Sequence, residues 1–219
     1  MKPLICFDMD ETLIYSDKTH IKAFNRAFSK NGLKKIPEKK LESALTGETT
    51  DIIIKKFYPN INKNLLKKII KERRDIVVKE TSKYARAIPG AINALKKLKK
   101  LYRIAIISNC IHKEILALLK GAGINHKLFD KIIGKDEVRH AKPYPDEIFK
   151  AEKLFHEKAF CLVGDSLWDI KAARMAKVRI ITVLTGNTKK EKLIKARPDY
   201  IINSIEYLPK LLQKIGDKN

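Results

Sequence analysis

Apolar residues recur along this chain in two rhythms, and the rhythms divide it. Six short runs, at 4–7, 103–107, 131–133, 160–163, 179–184 and 200–202, are almost continuously apolar and rich in isoleucine and valine. Runs of that length read as buried strands. Between them apolar residues fall three and four apart, over 91–100, 113–120, 145–155 and 167–175, and an amphipathic stretch over 205–215 closes the chain. This second spacing predicts helices. Strand and helix alternating after residue 86 predict an α/β domain with a doubly wound parallel sheet. Residues 15–85 follow the helical rhythm alone. Ile21, Phe24 and Phe28 mark one stripe, Leu65, Leu66, Ile69, Ile70 and Val77 another, and Pro37, Gly47 and Pro59-Asn60 punctuate them. A helical insert over 15–85 inside a core made of 1–14 and 86–219 is the expected organisation.

Polar residues concentrate where the strand runs end. Leu4-Ile5-Cys6-Phe7 delivers Asp8-Met9-Asp10-Glu11-Thr12-Leu13, and the run at 103–107 delivers Ser108-Asn109. Phe160-Cys161-Leu162-Val163 delivers Gly164-Asp165-Ser166-Leu167-Trp168-Asp169. Ala141-Lys142-Pro143-Tyr144-Pro145 places one lysine just before a helix start, which proline favours. In open α/β sheets ligands bind beyond the carboxyl ends of the strands. Asp8 and Asp10 are two positions apart and point the same way. Two like charges that close need a cation, or a proton on one of them. Taken alone, the pair also fits an acidic turn in which Asp10 caps a helix.

The four sites in this order, spanning residues 8–169, resemble the motif set of the haloacid dehalogenase-like superfamily, particularly its phosphatases of the phosphoglycolate phosphatase and beta-phosphoglucomutase type. The resemblance implies a Rossmann-like core, an aspartyl-phosphate formed on Asp8, and Mg²⁺ held by Asp8, Asp165 and the backbone carbonyl of Asp10. Aspartate suits the nucleophile's part because it is ionised at neutral pH without a base. A hard cation with oxygen ligands relieves its repulsion from phosphate. By the same resemblance Asp169 orients a metal-bound water or Lys142, and Ser108 with Lys142 donates to the phosphoryl oxygens. Asn109 either joins them or shapes the loop. Asp10 is the expected acid and base toward the leaving group, which requires its pKa to lie above that of Asp8. Dehalogenating members lack this second aspartate, so the resemblance points to a phosphatase or a phosphomutase. It also makes the insert a mobile cap that excludes water and selects the substrate. Thr46-Gly47-Glu48-Thr49-Thr50 is the candidate substrate loop, with Glu48 and Thr49 as its contacts or, equally, as ordinary helix-capping residues.

Composition adds one feature that the resemblance does not require. The formal net charge is +22. Residues 15–85 carry 18 basic and 8 acidic side chains, a net +10, which leaves +12 for the remainder. Paired lysines such as Lys34-Lys35, Lys67-Lys68 and Lys99-Lys100 fall mostly on polar helix faces, where solvation explains them. Their functional counterpart is attraction of a small phosphorylated metabolite. A basic protein that holds nucleic acid or an acidic partner, its catalysis vestigial, is the competing class. No helix-turn-helix, zinc finger or aromatic-rich strand face marks a dedicated nucleic-acid module. Cys6, Cys110 and Cys161 lack metal-ligand spacing and read as small core residues of a reduced compartment. His112 and His140 read as surface or capping groups, and Trp168 as helix packing. Met1 to Pro3 lead straight into the first strand run, so the expectation is a cytoplasmic enzyme without a signal peptide or membrane span, monomeric or homodimeric.

Overall fold

The computed structural model describes residues 2–216. Strands β1 (Leu4–Phe7), β4 (Arg103–Ser108), β5 (Lys131–Gly134), β6 (Ala159–Gly164), β7 (Arg179–Val183) and β8 (Tyr200–Ile202) form one sheet in the order β5-β4-β1-β6-β7-β8. Every neighbouring pair is parallel. Each run of the six is a strand because both sheet faces are covered, so inward and outward positions alike must be apolar. Ile5, Phe7, Ile104, Ile106, Cys161 and Val163 pack on one face. Leu4, Cys6, Ala105, Ile107, Ile133 and Leu162 pack on the other. The two-residue period of the pleat sorts one run of sequence into two cores.

Helices α5 (Ala91–Leu101), α6 (His112–Gly121), α7 (Asp146–Phe155) and α8 (Leu167–Ala176) connect these strands. A six-residue helix, α9 (Lys190–Lys195), precedes β8 and was not expected, since it buries a single side chain, Leu193. The stretch predicted as one closing helix over 205–215 begins as a 3₁₀ turn (Ile205–Tyr207) before α10 (Leu208–Gly216). The three cysteines are free and buried, in keeping with the small-core reading. Among the described residues no helix is long and apolar enough to cross a membrane.

Residues between β1 and α5 hold four helices: α1 (Asp17–Lys30), α2 (Glu38–Glu42), α3 (Thr50–Phe57) and α4 (Lys63–Ile76). Phe24, Phe28, Leu41, Ile54 and Ile69 knit them together against the first face of the sheet. The chain leaves and rejoins the sheet layer through a two-stranded antiparallel ribbon, β2 (Ile14–Tyr15) and β3 (Arg86–Ala87), with Ile14 opposite Ala87 and Tyr15 opposite Arg86. This ribbon was not foreseen, because two residues a side are too few to show a period.

Candidate active site

Register sets the site. Phe7, the last residue of β1, lies opposite Ile106 of β4 and Val163 of β6, so the residues that follow on three adjacent strands emerge at one sheet edge. Asp8 continues the pairing by donating its backbone N–H to Val163 O at 2.8 Å. Asp165 follows the end of β6, and Ser108 ends β4. Lys142 enters from the β5–α7 connection through a cis Lys142–Pro143 bond. Its Nζ donates to Asp8 Oδ1 at 2.5 Å and to Asp169 Oδ1 at 2.7 Å, with Ile107 O at 3.4 Å. Asp169 is placed by the first turn of α8, where Ser166 is the N-cap: Asp169 N donates to Ser166 Oγ and Ser166 N donates back to Asp169 Oδ2. This reciprocal cap satisfies two helix-end amides and leaves Oδ1 for the lysine.

Asp8, Lys142, Asp165 and Asp169 are all buried. Burial alone would depress Lys142, but Asp169, Asp8 and Glu147 hold its ammonium well above the ordinary lysine range. Asp8 is pushed up to about 7 by burial, which outweighs the pull of Lys142, and the charges of Asp169 and Asp10 push the same way. Asp165 is pushed well up, first by burial and then by Asp8, Asp169 and Glu11. Its carboxylate accepts a hydrogen bond from Thr12 Oγ1 at 3.2 Å. Asp8, Asp165 and Asp169 each offer a carboxylate oxygen within 4.8 Å of the others. Three buried carboxylates around one ammonium are short of positive charge, and their all-oxygen donor set fits a hard divalent cation such as Mg²⁺.

Asp10 has partners that lie outside the motif. His20 Nε2 lies 2.9 Å from Asp10 Oδ1, and the Cys110 thiol donates to Oδ2 at 3.4 Å. Burial would raise this carboxyl, yet the positive end of the His20 imidazole and hydrogen bonds from His20, Ser16 and Cys110 bring it down to about 2. The physical reason is a partner that the motif does not contain. Behind His20, Arg73 of α4 bonds Nδ1 with one guanidinium nitrogen and Glu114 of α6 with another. Nε2 of His20 thus faces Asp10 and Nδ1 faces Arg73, so both ring nitrogens are engaged.

Ser108 is buried, and its Oγ accepts the Cys110 amide at 3.1 Å. Asn109 Nδ2 donates to Gly47 O at 2.7 Å and to Lys142 O at 3.2 Å. Its amide thus bridges two loops. Glu48 lines the cleft, but its oxygens are engaged by Thr46 and Lys56. Thr49 is the N-cap of α3, its hydroxyl 2.6 Å from Asp51 Oδ1, and the threonine that lines the cleft is Thr50. Glu11 adopts a left-handed backbone (φ +56°) in the turn after Asp10, and its Oε1 accepts the Ser16 and Asp17 amides at the start of α1. His20 and Arg73 were not picked out from the sequence. Their signal was there to be read: each interrupts the inward stripe of its helix, beside Phe24 in α1 and between Ile69 and Ile76 in α4.

A phosphoglycolate phosphatase from Aquifex aeolicus is 27% identical over 214 residues, covering 95% of this chain and 96% of that protein. A pyrophosphatase from Oceanobacillus iheyensis is 27% identical over 205 residues, covering 92% of each. Among solved structures, a haloacid dehalogenase-like family hydrolase from Streptococcus pneumoniae superposes with a TM-score of 0.82 at 23% identity, covering 96% of this chain and 98% of that one. CbbY from Rhodobacter sphaeroides, solved in complex with phosphate, does so with a TM-score of 0.76 at 22% identity, covering 95% and 96%. Residues 5–183 match the sequence profile of the haloacid dehalogenase-like hydrolases, and the chain belongs to that family.

Proposed function

We propose that this chain is a Mg²⁺-dependent phosphatase that cleaves a small phosphate monoester by transferring the phosphoryl group to Asp8. One observation carries the reading: a fully buried ammonium, Lys142, lies between Asp8 and Asp169 at the edge where three parallel strands end. Asp8, Asp165 and the backbone carbonyl of Asp10 would hold the cation, which supplies charge neutralisation at the phosphoryl oxygens. Lys142 and Ser108 add donors to those oxygens, whose charge spreads in the transition state. Asp8 attacks phosphorus, the alkoxide leaves, and water then hydrolyses the aspartyl-phosphate. In the substrate-free molecule Asp10 is ionised, the form that accepts a proton from this water. A phosphoryl group bound beside it adds negative charge, which favours protonation and readies Asp10 for the alkoxide.

The helices over 15–85 act as the cap. The cleft between them and the sheet edge leaves only about 80 Å³ open to water, which favours a small substrate. Its cations also bear on phosphatase against phosphomutase. Of the charged donors lining it, Lys142 is paired with Asp8 and Asp169, His20 with Asp10, and Arg73 with Glu114. The loop side offers Leu45, Gly47, Glu48, Thr50 and Ile53, none of them cationic. A mutase must seat a second phosphate far from the nucleophile, and this cleft has no free cation for it among the described residues. Phosphoglycolate, inorganic pyrophosphate and small sugar phosphates form the panel for a phosphate-release assay with Mg²⁺. The expected outcome is release abolished by chelation and lowered at least about 10³-fold in Asp8→Asn. An Asp8→Asn protein that turns over normally, its asparagine verified intact, would reject the mechanism.

A further inference from the structure

The loop after β7 has no part in the motifs, yet three of its successive residues each touch the machinery. Thr185 Oγ1 donates to the backbone carbonyl of Glu11 at 2.5 Å, next to Asp10. Gly186 lies so close to the metal-site acid that a Cβ there would stand 1.8 Å from Asp165 Oδ2, so only glycine fits without moving that carboxylate. Asn187 Nδ2 donates to Asp17 Oδ2 at 2.8 Å and to Leu45 O at 3.0 Å. Asp17 opens α1, and Leu45 begins the irregular segment before α3, so one core amide grips two separate parts of the helical insert. Carbonyls in such a segment have no ladder of their own and need donors from elsewhere. Asn187 serves Leu45, and Asn109 serves Gly47 two residues on.

We propose that Asn187 is a positioning residue that holds the 45–50 loop shut over the phosphate site and, through Gly186, ties the closed cap to the placement of Asp165. The kinetic half of this rests on the phosphatase reading; the closure half does not. Asn187→Ala removes both donors, whereas Asn187→Asp turns a carboxylate against Asp17 and the Leu45 carbonyl. Adding Asp17→Asn to Asn187→Asp exchanges amide and carboxylate across the Asp17 contact, so that hydrogen bond can re-form in the opposite direction while the bond to Leu45 O stays lost.

The test uses the full-length protein with these three variants. Amide hydrogen exchange over residues 43–50 is followed without substrate, and KM and kcat for p-nitrophenyl phosphate are measured with saturating Mg²⁺. In Asn187→Ala, exchange over 43–50 should quicken and KM should rise, each about tenfold or more, the scale set by one or two hydrogen bonds. Exchange in β1 and β6 should stay as in the wild type, which separates an opened cap from a misfolded core. Asn187→Asp should be worse than Asn187→Ala, and the double variant, which restores the Asp17 contact but still sets a carboxylate against the Leu45 carbonyl, should leave exchange over 43–50 as fast as in Asn187→Asp. Unchanged exchange over 43–50 in Asn187→Ala, or a double variant whose exchange over 43–50 returns to the wild-type rate, overturns the proposal. A wild-type protein that releases no phosphate from any ester would reject the phosphatase reading, while the exchange comparison would still decide the latch.

Discussion

Lys142 collects more negative charge than its two site partners supply. Glu147 in the first turn of α7 accepts the Lys142 backbone N–H at 3.2 Å through Oε2, and its Oε1 is buried with no partner. Burial pushes this carboxyl up to about 7; Lys142 pulls against that, and Asp169 and Asp146 add to it. The folded protein therefore keeps a proton on Glu147 between roughly pH 4.5 and 7 that the unfolded chain releases. A raised carboxyl of this kind contributes stability below the unfolded pKa and loses it as pH rises through the folded one. Glu147→Gln keeps the shape without the charge. It should match the wild type near pH 4.5 and exceed it by about 2–3 kcal/mol at pH 8, measured by urea unfolding with chelator present; a difference that stays flat with pH would count against a buried, proton-bearing Glu147. Asp8, Lys142, Asp165 and Asp169 were legible without coordinates because strand ends and short spacings announce them. Glu147, His20 and Asn187 were not. Glu147 and Asn187 look locally like helix-capping or surface residues, and His20 shows only as a break in the inward stripe of α1, its partners being set by the fold.

The strands of the sheet were readable to within a residue or two, since coverage of both faces turns each into an unbroken apolar run. The β2–β3 ribbon and α9 were not, being too short or too little buried to carry a pattern. One tie between the helical insert and the sheet layer was also hidden, a buried ion pair 41 residues apart between Arg73 of α4 and Glu114 of α6. The guanidinium also packs 5.0 Å from the centre of the Phe24 ring, and both side chains of the pair are buried. Removing one partner of a buried pair strands a charge in that environment, while replacing both with apolar groups removes the need for either. Arg73→Met alone should cost about 3–5 kcal/mol in denaturant unfolding, and Arg73→Met with Glu114→Leu should recover most of it. Single variants costing under about 1 kcal/mol would mean that water reaches the pair and that α4 and α6 are held by other contacts.

At the size of the whole protein, the charge of +22 surrounds a site whose own ionisable groups are mainly acidic. Its ion pairs take up few of the lysines, and most of those pairs are at the surface. On the proposed phosphatase reading, the excess positive charge would draw anions at long range, and the cleft, with a cation bound, would accept the phosphoryl group at short range. These two effects separate in salt. Screening shortens the reach of surface charge to roughly 10 Å at 0.1 M and 3 Å at 1 M, but leaves buried pairs such as Lys142–Asp8 largely intact. Raising ionic strength from about 0.02 to 0.5 M should therefore lower kcat/KM by on the order of tenfold and leave kcat nearly unchanged. The fall should be steeper for inorganic pyrophosphate than for a monoester, because the more highly charged substrate feels the field more strongly. A kcat/KM that is flat across this range would assign the lysines to solvation alone and leave substrate capture entirely to the cleft.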